Sequence, residues 1–189
     1  MSLLGLTAAL RERPAYRDLL ARLRAGDTPA ATVVESAKPY VVASLWRDAA
    51  EPMLVICPHP DDARRLVEQL EAYCGDDAPI YHFAESEILP YERLSVEAGT
   101  VHERMAALGA LHGIRYSAPP EDGEPLQPPL IVASVTGLMQ KTLSPKLFGE
   151  LVHEIRRDQK IAIDATFEKW ARMGYRVEPA VEEPGAAAR

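Results

Sequence analysis

Three stretches of this 189-residue chain carry residue types at spacings that could do chemistry where a β-strand ends. The first is Thr32-Val33-Val34-Glu35-Ser36-Ala37-Lys38-Pro39, between a short β-branched run and a helical pattern. A phosphate-binding loop, G-x-x-x-x-G-K-[ST], occupies that place in nucleotide-binding α/β domains. Here Thr32 and Ala37 stand where the glycines belong, Lys38 keeps the lysine, and Pro39 replaces the hydroxyl that would hold magnesium. The glycines let the backbone wrap phosphates with its N–H groups, and proline has no N–H to offer. A lysine without that cradle is a bare point charge. The stretch therefore reads as a structural loop, with weak ATP binding through Lys38 as the lesser alternative. The second stretch is Leu130-Ile131-Val132-Ala133 followed by Ser134, Thr136 and Gly137. Its apolar run predicts a strand buried on both faces, and the polar turn opens a short helix over 138–141. Ligands of open α/β sheets sit at this carboxyl end, so the turn is the first place to look for a site.

Pro58-His59-Pro60-Asp61-Asp62 invites a metal reading. It resembles the zinc motif of metal-dependent sugar N-deacetylases, in which one His and one Asp bind zinc and a neighbouring Asp is the base. Ala63 stands where that family has an acid, and His82, His102, His112 and His153 are scattered rather than grouped in a second motif. Catalytic zinc uses three protein ligands. The favoured reading is that Asp61 and Asp62 cap a helix and complement its dipole. No Ser-His-Asp or Cys-His set has a supporting spacing. Glu85, Glu87 and Glu92 read as loop solvation. Arg156-Arg157 and Arg172 with Arg176 are the local basic features of the C-terminal part, with a partner contact at Arg172 and Arg176 as the minor alternative to a solvated surface.

The elements that must position these residues alternate. Helical patterns cover 14–25, 40–49, 61–73 and 101–112, with Leu19, Leu20 and Leu23, then Val41, Val42, Leu45 and Trp46, then Leu66, Val67 and Leu70, then Met105, Leu108 and Leu111 facing inward. Apolar runs at 32–34, 53–57, 80–83 and 130–133 predict strands. Residues 85–99 form a loop with Ile88, Leu89 and Tyr91 as anchors, and the proline-rich stretch 117–129 is an exposed connection. Strand and helix in turn predict a three-layer parallel α/β sheet. After Pro145 the pattern changes: an irregular segment over 151–163, a helix capped by Asp164 and stopped by Gly174, and a strand over 175–181. A helix between two extended pieces buries too little to stand alone, so 149–189 is expected to open a second domain after a first domain at 1–148.

Apolar residues make up 47% of the chain and charged residues 26%, a balance that supports a packed core. A formal net charge of −7 argues against a dedicated nucleic-acid binder, which needs a basic face. Cys57 and Cys74 are too few for a disulfide framework. No apolar run approaches a membrane span of ~20 residues and Met1-Ser2-Leu3-Leu4 is no signal peptide, so a cytoplasmic protein is expected.

Leu89-Pro90-Tyr91-Glu92 with Leu94-Ser95, Glu103-Arg104 in a leucine-spaced helix, and Ile131 to Val135 with Leu138-Met139-Gln140 and Ser144-Pro145 form a combined pattern, continued by Ile163-Asp164 to Gly174-Tyr175. From about residue 14 onward it resembles the N-terminal region of the bacterial transcription-repair coupling factors. That region is similar to the excision-nuclease subunit UvrB. The resemblance implies a P-loop-NTPase-like first domain of the helicase and UvrB domain 1a type with a degenerate phosphate loop, then the start of a small α+β domain like UvrB domain 2. It implies no catalysis and no cofactor in this stretch. ATP and magnesium belong to the family's downstream motor. The implied roles are recruiting UvrA and restraining the downstream translocase, with RNA polymerase and DNA engaged only through other domains.

Overall fold

In the computed structural model the described residues are 3–75, 77–86, 98–114, 127–155, 158–181 and 186–187. The expected anchors Ile88, Leu89 and Tyr91, the acids Glu87 and Glu92, Arg156-Arg157 and most of the proline-rich connection lie outside them.

Three strands, β1 (Met53–Cys57), β2 (Ile80–Phe83) and β3 (Leu130–Ser134), form a parallel sheet in the order β1-β3-β2. β3 is central, pairing Leu130 with Met53 and with Ile80, and all five of its residues are buried. That is what an unbroken Leu-Ile-Val-Ala run requires, since neither face can meet water. Helices lie on both faces. On one, α3 (Lys38–Ala49) and α4 (Pro60–Cys74) close a core of Ala43, Trp46, Ala63 and Leu70 against Cys57, Leu130 and Val132. On the other, α5 (Ala98–Leu111) covers Phe83, Ile131 and Ala133 with Ala107 and Leu108.

Trp46 ties the sheet's entrance to this packing. Its ring is 1% exposed and its indole N–H donates to the Pro128 carbonyl at 2.9 Å. One residue on, the Pro129 carbonyl accepts from the Met53 N–H at 3.0 Å, and β3 begins. The N-terminal helices α1 (Leu4–Leu10) and α2 (Pro14–Arg24) pack on α3. Pro14 opens α2 at a position where its missing N–H costs nothing, and Gly26 turns the chain out at φ +83°.

Several expectations are corrected. Residues 32–34 are not a strand. Val34 is extended but 71% exposed, the next three residues form a 3-10 turn, and among the described residues this β-branched run pairs with no strand. The adjoining helix starts at Lys38, two residues earlier than expected. β1 is buried on only one face: Met53, Val55 and Cys57 join the core, while Leu54 and Ile56 are 52% and 54% exposed. They lie beside Ile131 and Ala133, beyond the reach of α5, on a strand that is an edge among the described residues. In α2 the buried residue is Tyr16, with Leu23 exposed; in α5 Leu108 packs inward as expected, but the buried residues are Arg104, Ala107, Gly109 and Ala110, and Leu111 is exposed.

Past the sheet run α6 (Val135–Met139), α7 (Pro145–Leu151) and α8 (Ile163–Arg172), then β4 (Arg176–Val177), which pairs in parallel with β5 (Ala186–Ala187). The expected strand over 175–181 is thus two residues long. Asp164 is not the cap of α8. Ala162 holds that position without a side-chain bond, and Asp164 lies in the first turn, where its charge still complements the dipole. Trp170 gathers this part: it meets Phe167 and Tyr175 with ring centroids 5.6 and 6.1 Å away, and its N–H donates to His153 Nδ1 at 2.9 Å.

Candidate functional site

Parallel strands bring all their carboxyl ends to one edge, and there the polar turns of this chain collect. After β3, Ser134 takes the N-cap of α6 and its Oγ accepts from the Gly137 N–H at 2.9 Å. The same hydroxyl donates to Glu85 Oε2 at 2.9 Å, and Thr136 Oγ1 donates to that oxygen as well. Gly137 sits in a close approach. A Cβ there would stand 3.1 Å from Ser134 Oγ and 3.2 Å from the Phe83 carbonyl oxygen. Gln140 pins the segment after β2 from both sides, its Oε1 accepting from the Ser86 N–H at 2.9 Å and its Nε2 donating to the Ser86 carbonyl at 2.8 Å.

Arg104 is the charged centre of the arrangement. It is 9% exposed, donates to the Ala84 carbonyl at 2.7 Å, and lies with its guanidinium carbon 4.1 Å from the Phe83 ring centroid. Weaker contacts at 3.4 Å reach the Gly137 carbonyl and Gln140 Oε1. Burial draws its pKa down, because the charged form loses water. The carbonyls and ring that face it return part of that loss. Arg104 on α5 thereby ties the end of β2 to α6.

The phosphate-loop stretch lies at the same edge, beside β1. Lys38 Nζ is 2.5 Å from Glu35 Oε2, and that hydrogen bond raises the lysine's pKa. Thr32 is exposed and Pro39 is buried in the first turn of α3. The Ala37 N–H bonds to the Val34 carbonyl at 2.9 Å, closing the 3-10 turn. No residue from 32 to 39 has positive φ, so the alternating backbone of an anion nest is missing from this turn. Cys57, 7% exposed, sits within the electrostatic reach of Lys38 and Asp62, and burial pushes its thiol pKa up, making it a poor nucleophile.

His59 is the N-cap of α4 and makes no side-chain cap bond, so the expected capping by Asp61 and Asp62 is corrected: both lie in the first turn, as dipole complement. Asp62 also faces Arg65 at 3.7 Å. The other histidines go separate ways: His82 Nδ1 to Glu103 at 2.7 Å, His112 against Phe148 at 5.6 Å, and His153 to Trp170. Among the described residues no three His, Cys, Asp or Glu side chains gather as a metal-ligand set. Arg172 pairs with Glu168 at 3.7 Å and Arg176 with Glu178 at 3.6 Å, and both arginines are exposed.

The chain is similar to a transcription-repair-coupling factor. That protein, from Myxococcus xanthus, is 28% identical over 156 residues, a match covering 79% of this chain and 12% of the relative. The chain thus spans about an eighth of the length of the curated relative it matches. No family model matches. Among the described residues, no helix is long and apolar enough to cross a membrane.

Sequence reading found Ser134, Thr136 and Gly137 but read Glu85 as solvated. It missed Arg104 as a buried group, although Arg104 lies four residues before Leu108 and so on an apolar helix face. It also missed a concavity of about 340 Å³ on the N-terminal helices, lined by Arg11, Tyr16, Arg17, Leu20, Arg24, Arg47 and Asp48.

Proposed function

We propose that this chain is the UvrB-like N-terminal part of a transcription-repair coupling factor and acts in DNA repair as an interaction module. In this reading residues 1–148 are a degenerate form of UvrB domain 1a, and 149–189 begin a domain like UvrB domain 2 that recruits UvrA. The carrying observation is the 28% identity to the Myxococcus xanthus factor over 79% of the chain. The strand-end geometry supports it. Ser134, Thr136, Glu85, Gln140 and Arg104 bond to one another or to backbone, as fits a junction that holds the strand ends together. Lys38 is engaged with Glu35 in a turn that lacks a phosphate cradle. The module presents surfaces, restrains the rest of its protein through contacts, and leaves ATP hydrolysis and DNA translocation to other domains.

Capture of purified UvrA on the immobilised chain tests the role directly. Retention that weakens when Arg172 and Arg176 are both reversed to Glu is the expected result, and no retention at any salt concentration would overturn recruitment by this stretch. A parallel titration with labelled ATP and magnesium tests the non-catalytic half. Micromolar binding abolished by Lys38→Ala would replace the module with a nucleotide-binding enzyme.

A further inference from the structure

The concavity of about 340 Å³ on the N-terminal helices lies away from the strand-end site and is built from three of them. Arg11 follows α1, Arg17 and Arg24 lie on α2, and Arg47 lies on α3. Four guanidinium groups therefore face one lining carboxylate, Asp48. That carboxylate organises the wall. Its side chain is 6% exposed, it accepts from Arg11 Nε at 2.7 Å through one oxygen and from the Tyr16 hydroxyl at 2.7 Å through the other. Arg24 donates to the Asp48 backbone carbonyl at 2.5 Å. The Tyr16 ring is 5% exposed and Leu20 is half-buried, so the wall is apolar between the cations. Arg17 is exposed at the rim, while Arg47 reaches Thr7 Oγ1 at 3.3 Å.

The geometry points to this groove as a docking site for an acidic peptide segment of a partner protein, one that offers carboxylates beside an aliphatic side chain. Guanidinium forks pair carboxylates bidentately, and a concavity of this size takes a few side chains. The chain as a whole carries −7, so four clustered arginines form a local inversion of the prevailing field. Charge complementarity selects the ligand class. A nucleic acid needs cations spread along a face and is repelled by the net charge, whereas a short acidic segment needs only the concavity. Leu20, half-buried beside the covered Tyr16 ring, supplies the apolar contact that a bare inorganic anion would not use. The inference deepens the interaction-module reading and rests on it only in taking the ligand to be a protein. It does not name UvrA, so UvrA capture and the measurement below fail separately.

The probe is a fluorescein-labelled peptide of alternating glutamate and leucine, followed by anisotropy with the full chain at low salt. Saturable binding is expected, weakened tenfold or more by Arg17→Glu and progressively by added salt. Arg17 is exposed, so that variant should keep its melting temperature. Arg17→Ala should weaken binding less than the reversal does. The proposal is overturned by absence of saturable binding, by equal affinity in Arg17→Glu, or by equal affinity for a lysine-leucine peptide. Stronger binding of a thymidine oligonucleotide, or displacement of the peptide by inorganic phosphate at equimolar concentration, would overturn it in favour of a phosphate site.

Discussion

Replacing Arg104 by alanine removes the one buried cation at the sheet's carboxyl edge among the described residues, and its effect can be built from its contacts. The bond to the Ala84 carbonyl at 2.7 Å is charge-assisted, a type worth about 1.5–3 kcal/mol. The guanidinium over the Phe83 ring, 4.1 Å from its centroid and largely desolvated, adds about 1–2 kcal/mol. The two contacts at 3.4 Å are at the limit of hydrogen bonding and add little. Against these stands the desolvation of the charge, visible in the lowered pKa, which truncation relieves. The net loss expected for Arg104→Ala is about 3 kcal/mol, including the space left by the stem. Arg104→Met keeps the stem and sheds the charge, so it should lose about half as much. Arg104→Lys keeps the charge but neither the fork nor the planar stack, and should fall between the two. Urea unfolding followed by far-ultraviolet circular dichroism measures all three. A loss for Arg104→Ala within about 0.5 kcal/mol, the range of an ordinary surface substitution, would refute the view that Arg104 ties β2, α5 and α6 together. So would a lysine variant as stable as the parent.

Gly137→Ala should destabilise by about 1–2 kcal/mol in a thermal melt, because the Phe83 carbonyl, 3.2 Å from the added methyl, is backbone and cannot swing away. Asp48→Ala should cost about 2 kcal/mol, because it strands the Tyr16 hydroxyl and the Arg11 guanidinium together; Arg11 is 61% exposed, which keeps the loss below that of a fully buried pair. Burial pushes the Cys74 thiol up to about 11 from an ordinary value of 9.0. The unfolded chain therefore releases this proton first, and stability conferred by the protonated thiol is complete below pH 9.0 and declines toward about pH 11. Cys74→Ala should flatten that part of a pH series of urea midpoints, and an unchanged slope would count against the assignment.

The sheet was legible where one strand's composition was enough to specify its environment. An unbroken apolar run such as 130–133 has few places to go but the middle of a parallel sheet. Thr32-Val33-Val34 shows the limit. β-Branched residues favour extended backbone, but a strand also needs a neighbour, and the neighbour is a property of the whole chain. β1 was half legible for the same reason: its inward residues follow from their type, while exposure of Leu54 and Ile56 depends on where α5 lies. At the strand-end edge the cap, Ser134, and the close-approach glycine, Gly137, could be named from spacing after a strand. Their partner Glu85 lies 49 residues away from Ser134 and came only with the register of β2 against β3. The arginine groove had no signal of its own. Its residues come from three helices, and each looks like an ordinary solvated charge.

The flank of β1, bare among the described residues, carries a hazard with a built-in limit. An edge strand with an uncovered apolar face is a template on which a foreign strand can zip, the usual beginning of aggregation. Pro52 and Pro58 bracket the five residues of β1, and neither has an N–H with which to extend a ladder. An intruding strand could therefore gain a short purchase and no more, so concentrated samples should form small, reversible clusters in preference to long fibrils.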